Sequence, residues 1–102
     1  MPEVTIVYWR DIPAQVIVGR GRAAAKRALP DRFVQAIDRA AMKAGLTDSD
    51  AYLAEWRRGT PREVEGDAGD VASSEAARLD SAFPQEVLAA LIDNGGRASL
   101  AI

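Results

Sequence analysis

The 102-residue chain contains no cysteine and no histidine. Without cysteine there is no disulfide framework, no iron–sulfur cluster and no thiol nucleophile. Without histidine there is no imidazole base for a catalytic triad or dyad, and the usual zinc ligands are missing as well. We therefore assign no catalytic residue, and we expect neither a metal nor a redox cofactor.

Long apolar runs are also missing. The longest apolar stretches cover only a few residues, whereas a membrane-spanning helix needs roughly 20. Met1-Pro2-Glu3 leads directly into a strand-like segment, without the basic and apolar regions of a signal peptide. We expect a cytoplasmic protein that makes no contact with a membrane.

Charge of either sign is modest overall but is unevenly distributed. The net charge is −2 and the isoelectric point is near 5.1, which argues against a dedicated nucleic-acid-binding protein. Residues 1–43 carry eight lysines and arginines against four acids, whereas residues 44–102 carry five against eleven. A local site for an anion or an acidic partner in the first half therefore stays open.

Hydrophobic residues make up 48% of the chain, enough to bury a core without disulfides or a metal. We predict one domain over residues 1–102, with a first part over 1–66 and two further helices and an apolar tail over 67–102. The predicted fold class is α+β, a small antiparallel sheet led by an N-terminal β-hairpin with three to four helices packed on it. Residues 4–9 and 14–18 have the β-branched pattern of the two hairpin strands. Pro13 is expected to interrupt the strand structure and to belong to the turn between them.

Four helices are predicted from apolar periodicity and end signals. Phe33 and Ile37 lie on the apolar face of the first helix, which Gly45 ends. Residues 23–29 are interpreted as a basic connector with at most one helical turn, and residues 62–66 as an edge strand or extended loop. The helices are predicted over 31–44, from Thr47 as cap to Arg58, from Asp70 as cap to Ala82, and from Pro84 to Asn94.

Two glycines and four cations occur within nine residues, at 19–27. Glycines let backbone amides approach an anion, and arginine forks hold a phosphate or a carboxylate. The segment lacks both common nucleotide-binding glycine patterns, so a solvated basic loop and an anion-binding site remain as alternatives. The predicted anion-binding residues are Arg20, Arg22, Lys26 and Arg27.

Four of the six aromatic residues lie at positions 8, 9, 52 and 56. They either form the core or contribute to a contact surface, because tryptophan, tyrosine and arginine dominate binding hot spots. Tyr8 and Trp9 point to opposite faces of a strand, so one of them is expected near the surface. The predicted partner-binding patch consists of Tyr8, Trp9, Arg10 and Trp56.

The acidic clusters predict structure and not chemistry. Residues 48–50 and 67–70 lack the spaced ligands of a calcium loop, so helix caps and turns account for them. Glu63 and Glu65 could be paired carboxylates of a glycosidase, but a charged edge strand is the favoured interpretation in a chain this small.

Four ordered stretches resemble the bacterial virulence factor domain family, to which a domain of the staphylococcal conserved virulence factor C is related. They are residues 7–16 (VYWRDIPAQV), 26–33 (KRALPDRF), 36–42 (AIDRAAM) and 52–56 (YLAEW). The likeness spans about residues 4–66. It implies a small bacterial domain and carries over no catalytic position.

The favoured function is a non-enzymatic interaction module or accessory subunit of a bacterial complex. Its partner would be another protein or a second copy of the chain. The alternative is a small ligand-binding or catalytic subunit that holds an anionic substrate or cofactor through the basic connector. A pocket lined by those cations with an aromatic wall would favour the alternative, and a flat aromatic patch would favour the module.

Overall fold

The structure is a computed structural model that describes residues 2–46 and 48–97. Within these residues the fold is α+β, with a five-stranded antiparallel sheet and four α-helices, which confirms the predicted class. A single 3₁₀ turn, Gly21–Ala23, follows the second strand. The elements are β1 (Glu3–Trp9), β2 (Ile12–Val18), β3 (Ala25–Ala28), α1 (Asp31–Lys43), α2 (Ser49–Ala54), β4 (Trp56–Arg58), β5 (Arg62–Glu63), α3 (Ala68–Ala82) and α4 (Gln85–Asp93).

The N-terminal hairpin leads the sheet as predicted, but its turn is shorter. Only Arg10 and Asp11 lie between β1 and β2, and Arg10 has a positive φ of 53°. The prediction that Pro13 interrupts the strand structure is wrong, because Pro13 lies within β2 opposite Tyr8. The ladder shifts register between Val7 and Tyr8, and proline is tolerated at such an irregularity since it has no amide hydrogen to donate.

The prediction of a basic connector with at most one helical turn over residues 23–29 is wrong. Residues 21–28 form the 3₁₀ turn and strand β3, which pairs antiparallel with β2 from Gln15↔Ala28 to Val18↔Ala25. The strand is held at its end by Leu29, which is buried and donates its amide to the Ala14 carbonyl at 3.0 Å. Pairing with the edge of β2 outweighs the helix propensity of the alanines.

The second predicted helix is only half correct. Helix α2 ends at Ala54, and residues 56–58 form β4, which pairs with β1 at Trp9↔Trp56. A long-range strand pairing again outweighs local propensity. Thr47, the predicted cap, lies outside the described residues; Asp48 is the N-cap and accepts a hydrogen bond from the Ala51 amide.

The strand order is β3-β2-β1-β4, and β5 pairs with the other end of β1. Helix α3 covers one face of β2 and β3, while α1 packs against β2 and α4 against α1. The predicted edge strand is confirmed as the two-residue β5. Helix α3 begins earlier than predicted, because Asp67 and not Asp70 is its N-cap. Residues 98–102, most of the predicted apolar tail, lie outside the described residues.

Helix α1 docks through the two side chains that the sequence indicates. Phe33 is completely buried, and Ile37 is almost completely buried. The Phe33 ring meets Phe83 edge-on at 6.1 Å, and the Arg32 guanidinium lies 4.7 Å from the Phe33 ring centroid. Arg32 also donates to the carbonyls of Asp80 and Phe83, so it joins α1 to the end of α3.

Gly96 approaches the core closely and provides a first prediction. A Cβ at Gly96 would lie 2.7 Å from Cζ3 of Trp9, and φ there is +92°. Gly45 has a similar φ of +76°, with no described atom within 4 Å of its Cβ position. Both alanine variants share the backbone strain, so Gly96→Ala is expected to lose about 1–3 kcal/mol more unfolding free energy than Gly45→Ala through overpacking alone. Urea denaturation of the two variants measures this difference, and equal losses would show that the Trp9 ring moves aside without cost.

Candidate functional site

One face of the sheet is covered by α3, and a groove lies on the other face. Thr5, Ile17 and Lys26 are paired in register across β1, β2 and β3, so their side chains project from the same face. Together with neighbouring loops they bound a groove of about 750 Å³. The residues that line it are Glu3, Thr5, Ile17, Gly19, Arg20, Gly21, Arg22, Ala24, Lys26, Arg58 and Pro61.

The groove is basic because cations reach it from three parts of the chain. Arg20 and Arg22 belong to the turn after β2, where Gly19 (φ +97°) and Gly21 (φ +63°) supply conformations that favour glycine. Lys26 projects from β3 and Arg58 from β4. We call Arg20, Arg22, Lys26 and Arg58 the basic groove cluster.

Most cations elsewhere in the described part of the chain form ion pairs, whereas three of the four in the groove do not. Eight of the thirteen lysines and arginines form ion pairs with acids in the part of the chain that the structure describes. Of the other five, three line the groove: Arg22, Lys26 and Arg58. All three are exposed, so their charges are available to a ligand in solvent.

Arg20 is the member of the cluster that has a partner. Its Nε and Nη2 donate to Oε1 of Glu3 at 3.1 and 2.8 Å, and this hydrogen bond raises the pKa of the guanidinium. The Arg20 side chain is 86% exposed, so the pair is weak in energy. Its structural effect is to tie the turn to the start of β1.

The structure brings together three of the four predicted anion-binding residues. Arg27 lies opposite Val16 and projects to the α3 side, where its Nε donates to Oγ of Ser73 at 3.3 Å. Arg58 joins the groove in its place. Arg58 was not predicted, because the sequence analysis placed residues 56–58 in a helix. In a strand, side chains alternate between the two sheet faces, and this directs Arg58 toward the face of Thr5 and Lys26.

The predicted partner-binding patch is largely structural. Trp9 is completely buried, its Nε1 donates to the Tyr52 carbonyl at 3.0 Å, and its ring stacks on Tyr52 at 5.7 Å. Arg10 donates to the Gly95 carbonyl at 2.9 Å and to Oε1 of Glu55 at 3.1 Å, with only 13% of its side chain exposed. These side chains join the end of β1 and the hairpin turn to α2, to the residue that caps it and to the residues that follow α4, so they do not present a free contact surface.

The other two members of that patch are half-buried. Trp56 meets Tyr52 edge-on at 6.2 Å. Tyr8 is the one of the strand pair that approaches the surface, as expected, but Arg57 lies over its ring at 4.5 Å and Gly59 packs against its edge. No aromatic side chain is among the described residues that line the basic groove.

Glu75 is a buried acid that the sequence analysis did not single out. It lies on α3 between Arg78, which donates to its Oε1, and Arg62, whose Nη2 lies 3.1 Å from its Oε2. The hydrogen bond from Arg78 lowers the pKa of the Glu75 carboxyl below its ordinary value. Both carboxylate oxygens are occupied, so Glu75 joins β5 to α3 and is not a site for a ligand. Among residues 2–46 and 48–97 there is no group of three or more acidic side chains placed to hold a metal ion.

The geometry defines a small α+β domain with one helix-covered sheet face and a basic groove on the opposite face. Its sequence matches the model of the Virulence factor family over residues 7–92, so the chain belongs to that family. The match extends beyond the likeness to residue 66 and includes α3 and most of α4. Comparisons with curated proteins and with solved structures find no match. No helix in the described part of the chain is long and apolar enough to span a membrane.

Proposed function

We propose that this protein is a non-enzymatic cytoplasmic interaction module that binds an acidic surface of a partner protein through the groove face of its sheet. One observation carries the proposal. Arg22, Lys26 and Arg58, which have no ion-pair partner among the described residues, converge on one groove of about 750 Å³. Unpaired cations that surround one surface favour encounter with a negatively charged partner.

The groove supports binding better than catalysis. Glu3 is the one carboxylate among the described residues that line it, and Arg20 already occupies that group. General acid–base catalysis is most often performed by a histidine or an unpaired carboxylate, and the described lining of the groove contains neither. What the groove offers is fixed positive charge around an uncharged floor that contains Thr5 and Ile17.

The groove also supports a second candidate function, that of a subunit that holds a small anionic ligand. Its volume and the convergence of cations from separate elements favour this function. The aromatic wall that would stack a nucleobase or a flavin is missing from the described lining. Inorganic pyrophosphate is the direct probe: micromolar binding to the isolated protein would favour the small-ligand function over the protein partner.

Charge reversal in the groove tests the proposed function. The double variant Arg22→Glu, Lys26→Glu is expected to lose the partner that the parent protein captures from the native cell, identified by mass spectrometry. Rim charges mainly steer encounter, so the association rate with that partner should fall by about tenfold or more at low salt, with a smaller effect on dissociation. The difference should shrink as salt rises, because the Debye length falls from about 10 Å at 0.1 M to about 3 Å at 1 M.

A matched control makes the same change of charge on another surface. Arg39 and Lys43 are exposed on α1, and neither lines the groove. The double variant Arg39→Glu, Lys43→Glu is expected to capture the partner at the parent level. If both double variants lost the partner equally, net charge and not the groove would explain the loss. If the groove variant still captured the partner at the parent level, the proposal would be contradicted.

A further inference from the structure

We propose that the free edge of β3 receives an extended acidic segment of the partner as an added strand. This inference rests on the proposed function and names the form in which the partner binds. Strand addition supplies backbone hydrogen bonds to a sheet edge, and side-chain contacts supply the specificity. The basic groove cluster would then select for acidic side chains on the added segment.

The register of β3 shows which of its backbone groups are free. The Leu29 amide donates to the Ala14 carbonyl, and β2 and β3 pair antiparallel from Gln15↔Ala28 onward. Groups that point toward the neighbour alternate along an antiparallel strand. Arg27 and Ala25 therefore face β2 with their amides and carbonyls, while the amides of Lys26 and Ala28 point outward.

Those outward amides donate to no described residue, whereas the outward Lys26 carbonyl accepts a hydrogen bond from Nη1 of the exposed Arg27 at 3.3 Å. Lys26 and Ala28 are both exposed, and β3 is the terminal strand of the sheet order. The opposite edge is less suited to pairing, because it is divided between β4 and β5, with residues 59–61 between them. β3 is thus the continuous free edge of the described sheet.

Charge determines what this edge accepts. Lys26 and Arg27 are both exposed on β3, and Arg22 lies in the turn that precedes it. A second copy that paired through β3 would bring these cations against the same cations, and like charges across strands are destabilising. An extended segment with alternating acidic side chains would instead place carboxylates beside Lys26 on the groove face.

The probe is a synthetic octapeptide of alternating threonine and glutamate, titrated into the isotope-labelled protein. We expect the amides of Lys26 and Ala28 to show the largest chemical-shift changes and new nuclear Overhauser contacts to the peptide backbone. A twin peptide with N-methylated glutamates keeps every charge but loses the amide donors that would face Lys26 and Ala28 in an antiparallel pair. It is expected to bind roughly tenfold more weakly.

A matched pair of protein variants tests the hydrogen bond that the Ala28 amide of the protein would donate to the peptide. Ala28→Pro removes the outward amide and leaves the ladder with β2 intact, whereas Ala28→Ser keeps that amide. Ala28→Pro is expected to weaken peptide binding by roughly tenfold, and Ala28→Ser to leave it near the parent value. Neither variant should alter the response to pyrophosphate. If Ala28→Pro does not fold, the twin peptide on the parent protein decides.

The outcomes separate this inference from the proposed function. Equal binding of both peptides, with no shift at Lys26 or Ala28, would overturn strand addition while the groove still bound acid. Failure of the parent protein to bind any acidic peptide would overturn both proposals. A dimer of the free protein that Ala28→Pro dissociates would assign the edge to a second copy and overturn the acidic segment.

Discussion

Trp9→Ala is expected to lower the free energy of unfolding by about 3–5 kcal/mol. The indole is completely buried, stacks on Tyr52 and donates to the Tyr52 carbonyl at 3.0 Å. Truncation would leave a cavity beside Gly96 and remove the donor from that carbonyl. Since small domains have total stabilities of about 5–15 kcal/mol, the variant should be partly or fully unfolded at modest urea concentrations.

Trp56→Ala is the control for this prediction. Trp56 lies opposite Trp9 in the β1–β4 pair but is only half-buried, so its loss should be clearly smaller. Urea denaturation followed by far-ultraviolet circular dichroism measures both variants. A Trp9→Ala protein with the stability of the parent would contradict the core assignment and restore Trp9 as a contact residue.

Phe33→Ala is expected to have an effect of similar size, about 3–5 kcal/mol. Phe33 is completely buried and fixes α1 to Phe83 at the end of α3. Val34→Ala on the same helix provides the comparison, because Val34 is 50% exposed. Its effect should stay within about 0.5 kcal/mol, as is usual for surface substitutions.

Thermal and urea unfolding of the two helix variants give the result directly. A melting curve for Phe33→Ala that overlays the parent curve would contradict the docking of α1 through this ring. Losses of equal size at positions 33 and 34 would indicate that the helix is destabilised as a whole and not through its packed face.

The elements with strong local signals were predictable from the sequence. Helix α1 has apolar residues spaced by three and four, a proline before its start and Gly45 after its end, and the structure ends it at Lys43. The hairpin strands were predictable from their β-branched residues. The turn was not, because the bulge beside Pro13 in β2 is a feature of the strand pair and not of either strand alone.

The missed strands have a common physical cause. β3 and β4 contain residues that suit a helix locally, and each becomes a strand only because a neighbour offers a free edge. Local sequence carries no record of that edge. β3 depends on β2, which precedes it closely, whereas β4 depends on β1, about 50 residues earlier in the chain.

The candidate site was predictable to the extent that its residues are close in sequence. Arg20, Arg22 and Lys26 were indicated by one short basic segment. Arg58 was not, since only the β1–β4 pairing brings it to the same sheet face. The aromatic patch illustrates the opposite case: Trp9 and Arg10 have the composition of a contact surface, but in the structure Trp9 is buried and Arg10 is hydrogen-bonded at the boundary of the core.

Hydrogen–deuterium exchange on the complex of the parent protein with its captured partner tests the central claim most directly. The proposed function predicts slower exchange in residues 17–28 on binding, with α1 and α4 unchanged. Those helices lie away from the basic groove cluster, so they serve as an internal control. Protection confined to α1 and α4, with residues 17–28 exchanging as in the free protein, would contradict the assignment of the groove face as the interaction surface.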